Sequence, residues 1–299
     1  MESERKRLFF IYNQTSGKAR IRNHLADIID VFIKAGYRVE VHATQGRLDA
    51  KEQVMRRWNE FDRIVVSGGD GTLNEAVSGM VEAGGNTAIG YIPCGSTNDY
   101  SVSLGLPKQF TKAASVCVEG IPHDMDVGCM NGKHFVYVAA FGAFSKVSYT
   151  TPQNMKNILG HQAYIIEGAK SLTEIKPHEA KVTWDNGETE GSFLLGMISN
   201  STSVGGFKGI TGDNVDLSDG LFEVTLLREI KNPNDFGKAA AYILGLEKSK
   251  NESILNFKTK SIHISSKDEI EWSLDGEYGG SVCETQIDNI RHAFRIITK

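Results

Sequence analysis

Several features that assign a protein of this size to a class are missing from the sequence. No apolar stretch is long enough to span a membrane, and no signal-peptide core precedes the strand-like segment Leu8–Tyr12. The four cysteines form no C-x-x-C pair, which argues against a zinc site or a disulfide framework. We therefore expect a reduced, cytoplasmic protein that is soluble or transiently peripheral at the inner membrane face.

An excess of basic residues is also missing. Lysine and arginine number 33 against 37 aspartates and glutamates, a net charge of −4, so nucleic acid is not an expected partner. Any affinity for phosphate must then come from local groups. The 299 residues are enough for two domains, each with a core of its own.

Strand-like and helix-like segments alternate up to about residue 120, which is typical of a parallel sheet covered by helices. We predict a Rossmann-like nucleotide-binding domain over residues 1–125. Ligands of such sheets bind where the strands end, so the loops at that edge should bring together Ser16, Gly17, Thr44, Gly69 and Ser96. The predicted strands are Leu8–Tyr12, Tyr37–Ala43, Arg63–Ser67 and Ala88–Ile92, with a first helix whose apolar stripe runs from Ile21 to Phe32.

The pattern changes to hairpins from about residue 126. Met130–Lys133 and Trp184–Gly187 each contain Asn-Gly, a dipeptide that favours the tight turn between antiparallel strands. We predict a β-rich domain over residues 126–299, built as an antiparallel β-sandwich. Its predicted strands are Phe135–Phe141, Ala180–Trp184, Phe193–Ser199, Leu221–Leu227, Ser261–Ser265 and Ala293–Ile297, and its predicted helices are Ala163–Leu172 and Asp235–Leu244.

The segment Ile64–Asn74 is the most informative in the chain. An apolar, β-branched run ends in Gly-Gly-Asp-Gly, where glycines allow a tight turn and a close approach of the backbone to a ligand. Apolar residues at helical spacing follow, so the positive end of a helix faces this turn and favours an anion such as phosphate. No Gly-Lys-Ser/Thr follows, and the last glycine of the dinucleotide fingerprint is absent. Asp70 beside phosphate then requires a cation such as Mg²⁺.

The same segment also allows a purely structural interpretation. Asp70 could form an ordinary strand-to-helix turn, with Thr72 and Glu75 as the two ends of a capping box. We expect Glu75 to cap the helix in either case.

Three further segments place glycine or small polar residues beside an Asn or an acid: Asn13–Lys18, Gly95–Asp99 and Leu274–Gly280. Gly95–Asp99 suits phosphate oxygens and a metal at Asp99, or else forms a helix N-cap. In Leu274–Gly280, Glu277 could act as the general base toward an alcohol, or the segment is only a polar hairpin turn.

In order and spacing, Gly68–Glu75, Gly95–Asp99 and Leu274–Gly280 resemble the bacterial soluble diacylglycerol kinase family, in a wider group with sphingosine and NAD kinases. The resemblance covers essentially the whole chain. Val147–Pro152 also resembles the lipid-side segment of that family.

The resemblance implies roles for individual residues. Glu277 would deprotonate the lipid hydroxyl with Asp126 in its supporting network, and Asp70 and Asp99 would act through Mg²⁺. The implied ATP contacts are Asn13, Gln14, Thr15, Ser16, Gly17, Thr44, Gly68, Gly69, Asp70, Gly71, Thr72, Leu73, Asn74 and Ser96.

A second cation is implied in the β-rich domain. Asp213, Asp216 and Asp219 cluster before a strand, and by themselves they form either a hard-cation site or a solvated loop. The resemblance implies a structural Mg²⁺ held by the carboxylate of Asp219 and the carbonyl oxygens of Asp216 and Leu221.

The resemblance predicts an ATP- and Mg²⁺-dependent lipid kinase that converts diacylglycerol to phosphatidic acid at a membrane surface, with a homodimer left open. The alternatives are a kinase of phosphatidylglycerol or a sphingoid base, an NAD kinase, and a catalytically silent nucleotide-binding regulator. The Glu277 segment argues against an NAD kinase. Gln14 and Val102, where the family commonly has proline and a basic residue, keep the silent regulator open.

Overall fold

The computed structural model describes residues 5–142, 176–205, 207–208, 211, 214–232, 235–243 and 252–299. The chain forms two compact units, Met1–Val127 with Arg291–Lys299, and Gly128–Ile290. The first boundary lies two residues beyond the predicted one, and the C-terminal residues return to the first unit, which the predicted division into 1–125 and 126–299 does not include. The predicted helix Ala163–Leu172, the segment Val147–Pro152, and the residues Asp213 and Leu244 lie outside the described residues.

The first unit contains a parallel sheet with helices between its strands. Its strands are β1 (Arg7–Tyr12), β2 (Arg38–Ala43), β3 (Arg63–Gly68) and β4 (Ile89–Pro93). Its helices are α1 (Leu25–Lys34), α2 (Asp49–Arg57), α3 (Asp70–Glu82), α4 (Asp99–Ser103) and α5 (Phe110–Glu119), with 3₁₀ turns at Ser16–His24 and Trp58–Glu60. β1 pairs in parallel with β2 and β3, and β3 with β4, as the alternation of elements predicts. The finer Rossmann-like assignment stays a prediction.

The central strands of this unit are buried in its core, which explains why their sequences are unbroken apolar runs. Phe10 of β1 and Phe32 of α1 are fully buried, and their rings meet edge to face with centroids 5.4 Å apart. Ile21, predicted on the first helix, is buried as well, but it lies in the 3₁₀ turn that precedes α1. The predicted helix is therefore divided into a 3₁₀ segment and an α segment.

The second unit is antiparallel in the pairings that the described residues show. Its elements are β5 (Ile121–Met130, which begins in the first unit), β6 (Lys133–Phe135), β7 (Val138–Gly142), β8 (His178–Trp184), β9 (Gly187–Ser199), β10 (Ser203–Val204), β11 (Phe207–Lys208), β12 (Phe222–Arg228), α6 (Phe236–Ile243), β13 (Ile254–Thr259), β14 (Ser261–Leu274) and β15 (Glu277–Thr298). The strand order is β13-β12-β9-β7-β14-β15, and β8 pairs with both β9 and β14. The assignment as a sandwich stays a prediction.

Both predicted Asn-Gly hairpins are confirmed. Met130 pairs with Lys133, and Trp184 pairs with Gly187. The predicted strand Phe135–Phe141 is wrong in its continuity, because β6 ends at Phe135 and β7 begins at Val138. Across the ranges given above, no helix has both the length and the apolar character needed to cross a membrane.

The last strand, β15, is much longer than the predicted Ala293–Ile297. It begins in the second unit and ends in the first, where Ile296 pairs in parallel with Ile89 of β4. This pairing returns the C-terminal residues to the first unit.

Candidate functional site

The loops that follow the strands of the first unit are joined to one another at the carboxyl edge of the sheet. The backbone N–H of Asn13 donates to Ser67 O at 2.8 Å, and the N–H of Thr44 donates to Tyr12 O at 3.0 Å. Both bonds prolong the parallel ladder by one step into the loops. The loops after β1, β2 and β3 therefore begin side by side.

The loop after β1 also contacts the turn after β3 through side chains. Asn13 Nδ2 donates to Thr72 Oγ1 at 3.2 Å. The other end of the Asn13 amide accepts hydrogen bonds from the backbone N–H and the hydroxyl of Thr15, at 3.0 and 2.8 Å. A single asparagine thus folds its own loop and connects it to the Gly68 turn.

Cys94, directly after β4, contacts both the turn after β3 and the loop after β1. Its backbone N–H donates to Gly68 O at 2.7 Å, and its thiol lies 3.7 Å from Ser16 O. Burial raises the pKa of the Cys94 thiol, so the neutral form is favoured. Gly17 has a φ of +55°, and a Cβ atom there would collide with the carbonyl oxygen of Cys94. Only glycine satisfies both conditions at this position.

The turn after β3 and the turn after β4 touch backbone to backbone. A Cβ atom on Gly95 would lie 2.6 Å from Gly69 Cα, closer than real Cβ atoms come. Asn98 holds this turn in shape, because its Oδ1 accepts from Gly95 N at 2.7 Å and its Nδ2 donates to Gly95 O at 2.9 Å. The glycines predicted to approach a phosphate therefore also allow the two turns to approach each other.

Asp70 connects the same two turns through its carboxylate. It is the first residue of α3, and its oxygens accept the backbone N–H groups of Asp99 and Tyr100 at 3.2 and 3.4 Å. Asp99 itself is 1% exposed. Whether either acid also acts through Mg²⁺ stays a prediction.

The predicted capping box is wrong. The N-cap of α3 is Gly69, so Thr72 already lies inside the first turn of the helix. Glu75 Oε1 instead accepts the backbone N–H of Leu48 at 2.8 Å. Leu48 immediately precedes α2 and has a left-handed φ of +67°. Glu75 therefore links α3 to the loop that follows Thr44.

Asp126, another predicted site residue, is fully buried on β5. Its Oδ1 accepts the backbone N–H of His292 at 2.8 Å, where β15 has a left-handed φ of +51°. The carboxylate thus fixes an irregular point in the last strand. Its participation in a network with Glu277 stays a prediction.

Glu277 opens β15 in the second unit, directly after a tight turn. Asp275 and Gly276 have φ values of +49° and +83°, and Leu274 pairs with Glu277 across the turn, as the sequence predicts. The Glu277 side chain is exposed. A carboxylate at this place is accessible to a hydroxyl substrate.

Comparison with known proteins matches these loops to one family. The family model for the diacylglycerol kinase catalytic domain matches residues 7–130. The diacylglycerol kinase of Bacillus subtilis strain 168 is 33% identical over 299 residues, covering 98% of this chain and 97% of that protein. The chain belongs to the diacylglycerol kinase family. The diacylglycerol kinase of Staphylococcus aureus strain bovine RF122 / ET3-1 is 34% identical over 289 residues, covering 96% of this chain and 91% of that protein.

Solved structures agree with the family. A crystal structure from Bacillus anthracis str. Sterne has a TM-score of 0.84 to this chain at 26% identity, covering 100% of this chain and 97% of the other. A diacylglycerol kinase from the same strain has a TM-score of 0.79 at 23% identity, with coverage of 100% and 98%, which shows the fold. The chain is therefore a kinase of this family.

The predicted ATP residues lie on the loops of the first unit and at the start of α3, but not all of their side chains face outward. Leu73 is fully buried in the core, so only its backbone could contact a nucleotide. Gln14, where the family commonly has proline, accepts a hydrogen bond from Arg22 at 3.3 Å. Asn74 accepts one from the Ser78 hydroxyl at 2.8 Å.

The predicted structural Mg²⁺ residues lie in the turn before β12. Asp216 Oδ1 accepts from Ser218, and Asp219 Oδ1 accepts the N–H of Leu221 at 2.9 Å. Among the described residues, no three His, Cys, Asp or Glu side chains lie close enough together to hold a metal. The predicted site differs from such a cluster of side chains, because it consists of one carboxylate and two backbone carbonyl oxygens. Oxygen donors of these types suit Mg²⁺.

The charge around this turn fits an added cation. Lys258 Nζ lies 3.3 Å from Asp219 Oδ2 and 2.9 Å from Glu223 Oε1. Glu223 is buried, and its Oε2 has no hydrogen-bond partner among the described residues. Desolvation raises the pKa of Glu223 despite the nearby ammonium group. Asp219 and Glu223 thus both contact a single ammonium group, so the charge of Lys258 alone does not balance two ionised carboxylates.

The sequence gives Asp275 only the role of a hairpin corner, but the structure gives it a larger one. Its buried carboxylate accepts three successive backbone N–H groups, from Val136 at 2.7 Å, Tyr137 at 2.9 Å and Val138 at 3.0 Å. These bonds explain the break between β6 and β7. They also anchor the turn that presents Glu277. One sequence signal could have indicated this role. Asp275 is a charged residue next to an otherwise buried, apolar strand pair, where a tight turn alone does not require a charge.

We expect Asp275→Ala to lower the free energy of unfolding of the second unit by about 3 kcal/mol, because three buried N–H groups lose their acceptor and alanine disfavours a positive φ. Asp275→Asn, which keeps one oxygen and tolerates the left-handed conformation, should lose less. Urea unfolding of the two variants measures the difference. Equal stability of Asp275→Ala and wild type would show that the three bonds contribute nothing net.

Proposed function

We propose that this kinase transfers the γ-phosphoryl group of ATP to the free hydroxyl of diacylglycerol and releases phosphatidic acid. The observation that carries the proposal is the connection of three loops at one sheet edge, where Asn13 bonds to Thr72 and Asp70 bonds to Asp99. Nucleotide phosphates bind at such edges in α/β proteins. The proposal that the acceptor is a lipid is supported by membership of the diacylglycerol kinase family.

ATP binding is assigned to backbone and hydroxyl groups of these loops. The N–H groups of Gly69 and Gly71 and the hydroxyls of Thr72 and Ser96 are of the right type to bind phosphate oxygens. They surround the N-terminus of α3, a helix of 13 residues whose positive end attracts the phosphates. Thr44 and the loop after β1 bind the rest of the nucleotide.

Asp70 and Asp99 place negative charge beside the phosphates, so the nucleotide enters with Mg²⁺. Asp70 and Asp99 would hold this ion, and it would supply positive charge to offset the negative charge of the phosphates. A second, structural Mg²⁺ is assigned to Asp216, Asp219 and Leu221, where it supports the fold of the second unit. No chemical step is assigned to that site.

Glu277 is assigned as the general base. Its carboxylate takes the proton of the diacylglycerol hydroxyl, the oxygen forms a bond to the γ-phosphorus, and the bond from phosphorus to the β-phosphate oxygen breaks to release ADP. Asp126 is assigned to the network that supports this base. Because diacylglycerol stays in the bilayer, the kinase works while docked at the membrane surface.

The experiment that tests the proposal measures label transfer from γ-labelled ATP to a panel of acceptors. Diacylglycerol, phosphatidylglycerol and a sphingoid base are presented in mixed vesicles, and NAD is presented in solution. The expected result is labelled phosphatidic acid at an initial rate well above that of the other products. Preferential labelling of another acceptor would overturn the diacylglycerol assignment, and binding of ATP without labelling of any acceptor would indicate a silent regulator.

A further inference from the structure

Tyr91 is a phenol in the middle of a buried strand. It lies on β4 and is 0% exposed, and its neighbours Ile89 and Ile92 are equally buried. A buried hydroxyl without a partner is unfavourable, so a tyrosine at such a place needs an acceptor. Two acceptors lie within reach of the Tyr91 hydroxyl, Gly68 O at 3.2 Å and Asn98 Oδ1 at 3.5 Å, and its single proton is donated to the nearer one, Gly68 O.

These two acceptors belong to the two turns that contact each other at the candidate site. Gly68 O begins the turn after β3, and it also accepts the N–H of Cys94 at 2.7 Å. Asn98 Oδ1 is the atom that closes the turn after β4 by accepting from Gly95 N at 2.7 Å. The hydroxyl of Tyr91 thus contacts both turns.

The orientation of one peptide plane follows from these contacts. With the hydroxyl of Tyr91 and the N–H of Cys94 both directed at it, the carbonyl of Gly68 uses both of its lone pairs on the strand side. In a trans peptide, the N–H of the next residue points opposite to that carbonyl. The N–H of Gly69 is therefore directed away from β4.

Electrostatics keeps the hydroxyl in its donating form. Burial raises the pKa of Tyr91 well above its usual value, and the negative charge of Asp70 raises it further. The phenol is therefore protonated at neutral pH.

We infer that Tyr91 is a positioning residue for the nucleotide phosphates, which fixes the Gly68–Gly69 peptide and the Asn98 turn so that the Gly69 N–H faces the bound phosphate. The inference rests on the proposed binding of ATP at these loops. Tyr91 acts through the backbone and does not touch the nucleotide.

The test is Tyr91→Phe, which removes one oxygen and keeps the ring that fills the core. Calorimetry should show a dissociation constant for Mg²⁺-ATP about 3- to 10-fold higher than that of wild type, the effect of one modest hydrogen bond. The KM for ATP should rise by the same factor, while the KM for diacylglycerol stays unchanged. The matched control is Tyr37→Phe, which removes the hydroxyl of another buried tyrosine in the same unit and should leave ATP binding unchanged.

The outcomes separate this inference from the proposed function. If wild type binds no Mg²⁺-ATP, the proposed function fails, and the inference fails with it. If wild type binds and Tyr91→Phe binds equally well, only the inference is overturned. A fall in melting temperature for Tyr91→Phe that far exceeds that of Tyr37→Phe, with the KM values for ATP and diacylglycerol rising together, would show a general structural role and would also overturn it.

Discussion

Glu277→Gln is expected to lower the rate of phosphoryl transfer by about 10²- to 10⁴-fold, the usual cost of losing a general base. The amide has nearly the shape of the carboxylate but cannot take the proton of the acceptor hydroxyl. Because the side chain is exposed, the fold and the affinity for ATP should stay near their wild-type values. Initial rates with labelled ATP and diacylglycerol vesicles, together with calorimetric binding of ATP, measure both quantities.

Glu284→Gln is the matched control for this variant. Glu284 is another exposed carboxylate on the same strand, and its Oε2 lies 3.1 Å from His263 Nε2. Its replacement should leave the rate nearly unchanged. If Glu277→Gln keeps the full rate, the base lies elsewhere. If both variants lose activity equally, the effect comes from the charge of the strand and not from a specific base.

Asp70→Asn is expected to weaken ATP binding and to lower activity on the order of 10²-fold, because small displacements of binding groups have effects of this size. The carboxylate accepts two N–H groups, from Asp99 and Tyr100, and an amide would direct its own N–H₂ at one of them. A donor left without an acceptor in buried surroundings costs about 1–3 kcal/mol, so the melting temperature should fall as well. Thermal melting and steady-state kinetics measure the two losses.

Asp62→Asn is the control for this second variant. Asp62 Oδ2 also accepts a backbone N–H, that of Arg7 at 2.7 Å, but it lies before β3, at the opposite edge of the sheet from the loops. Its replacement should leave ATP binding unchanged. Wild-type activity and ATP affinity in Asp70→Asn would show that the bond between the two turns has no part in function.

The sequence predicts that the loops meet, because their meeting follows from a local rule. Each predicted strand ends in a polar or glycine-containing segment, and parallel strands end at one edge, so Gly17, Thr44 and Gly69 must come near one another. The close contact of Gly69 with Gly95 has the same origin. The resemblance to diacylglycerol kinases is confirmed by the family model that matches residues 7–130 and by the full-length relative from Bacillus subtilis.

What the sequence does not predict depends on partners far along the chain. Glu75 has the spacing of a helix cap, yet its carboxylate binds Leu48, 27 residues earlier. Asp275 interrupts the strand predicted at Phe135–Phe141 from a distance of 139 residues. No local pattern of apolar and polar residues contains such contacts, because they exist only after the sheet has assembled.

The most direct test of the account is a crystal structure of the kinase with a non-hydrolysable ATP analogue and Mg²⁺. The account predicts that the phosphates lie at the N-terminus of α3, within hydrogen-bond distance of the Gly69 N–H and between the turns that follow β3 and β4. A nucleotide bound elsewhere on the chain, with these two turns free of phosphate, would contradict it.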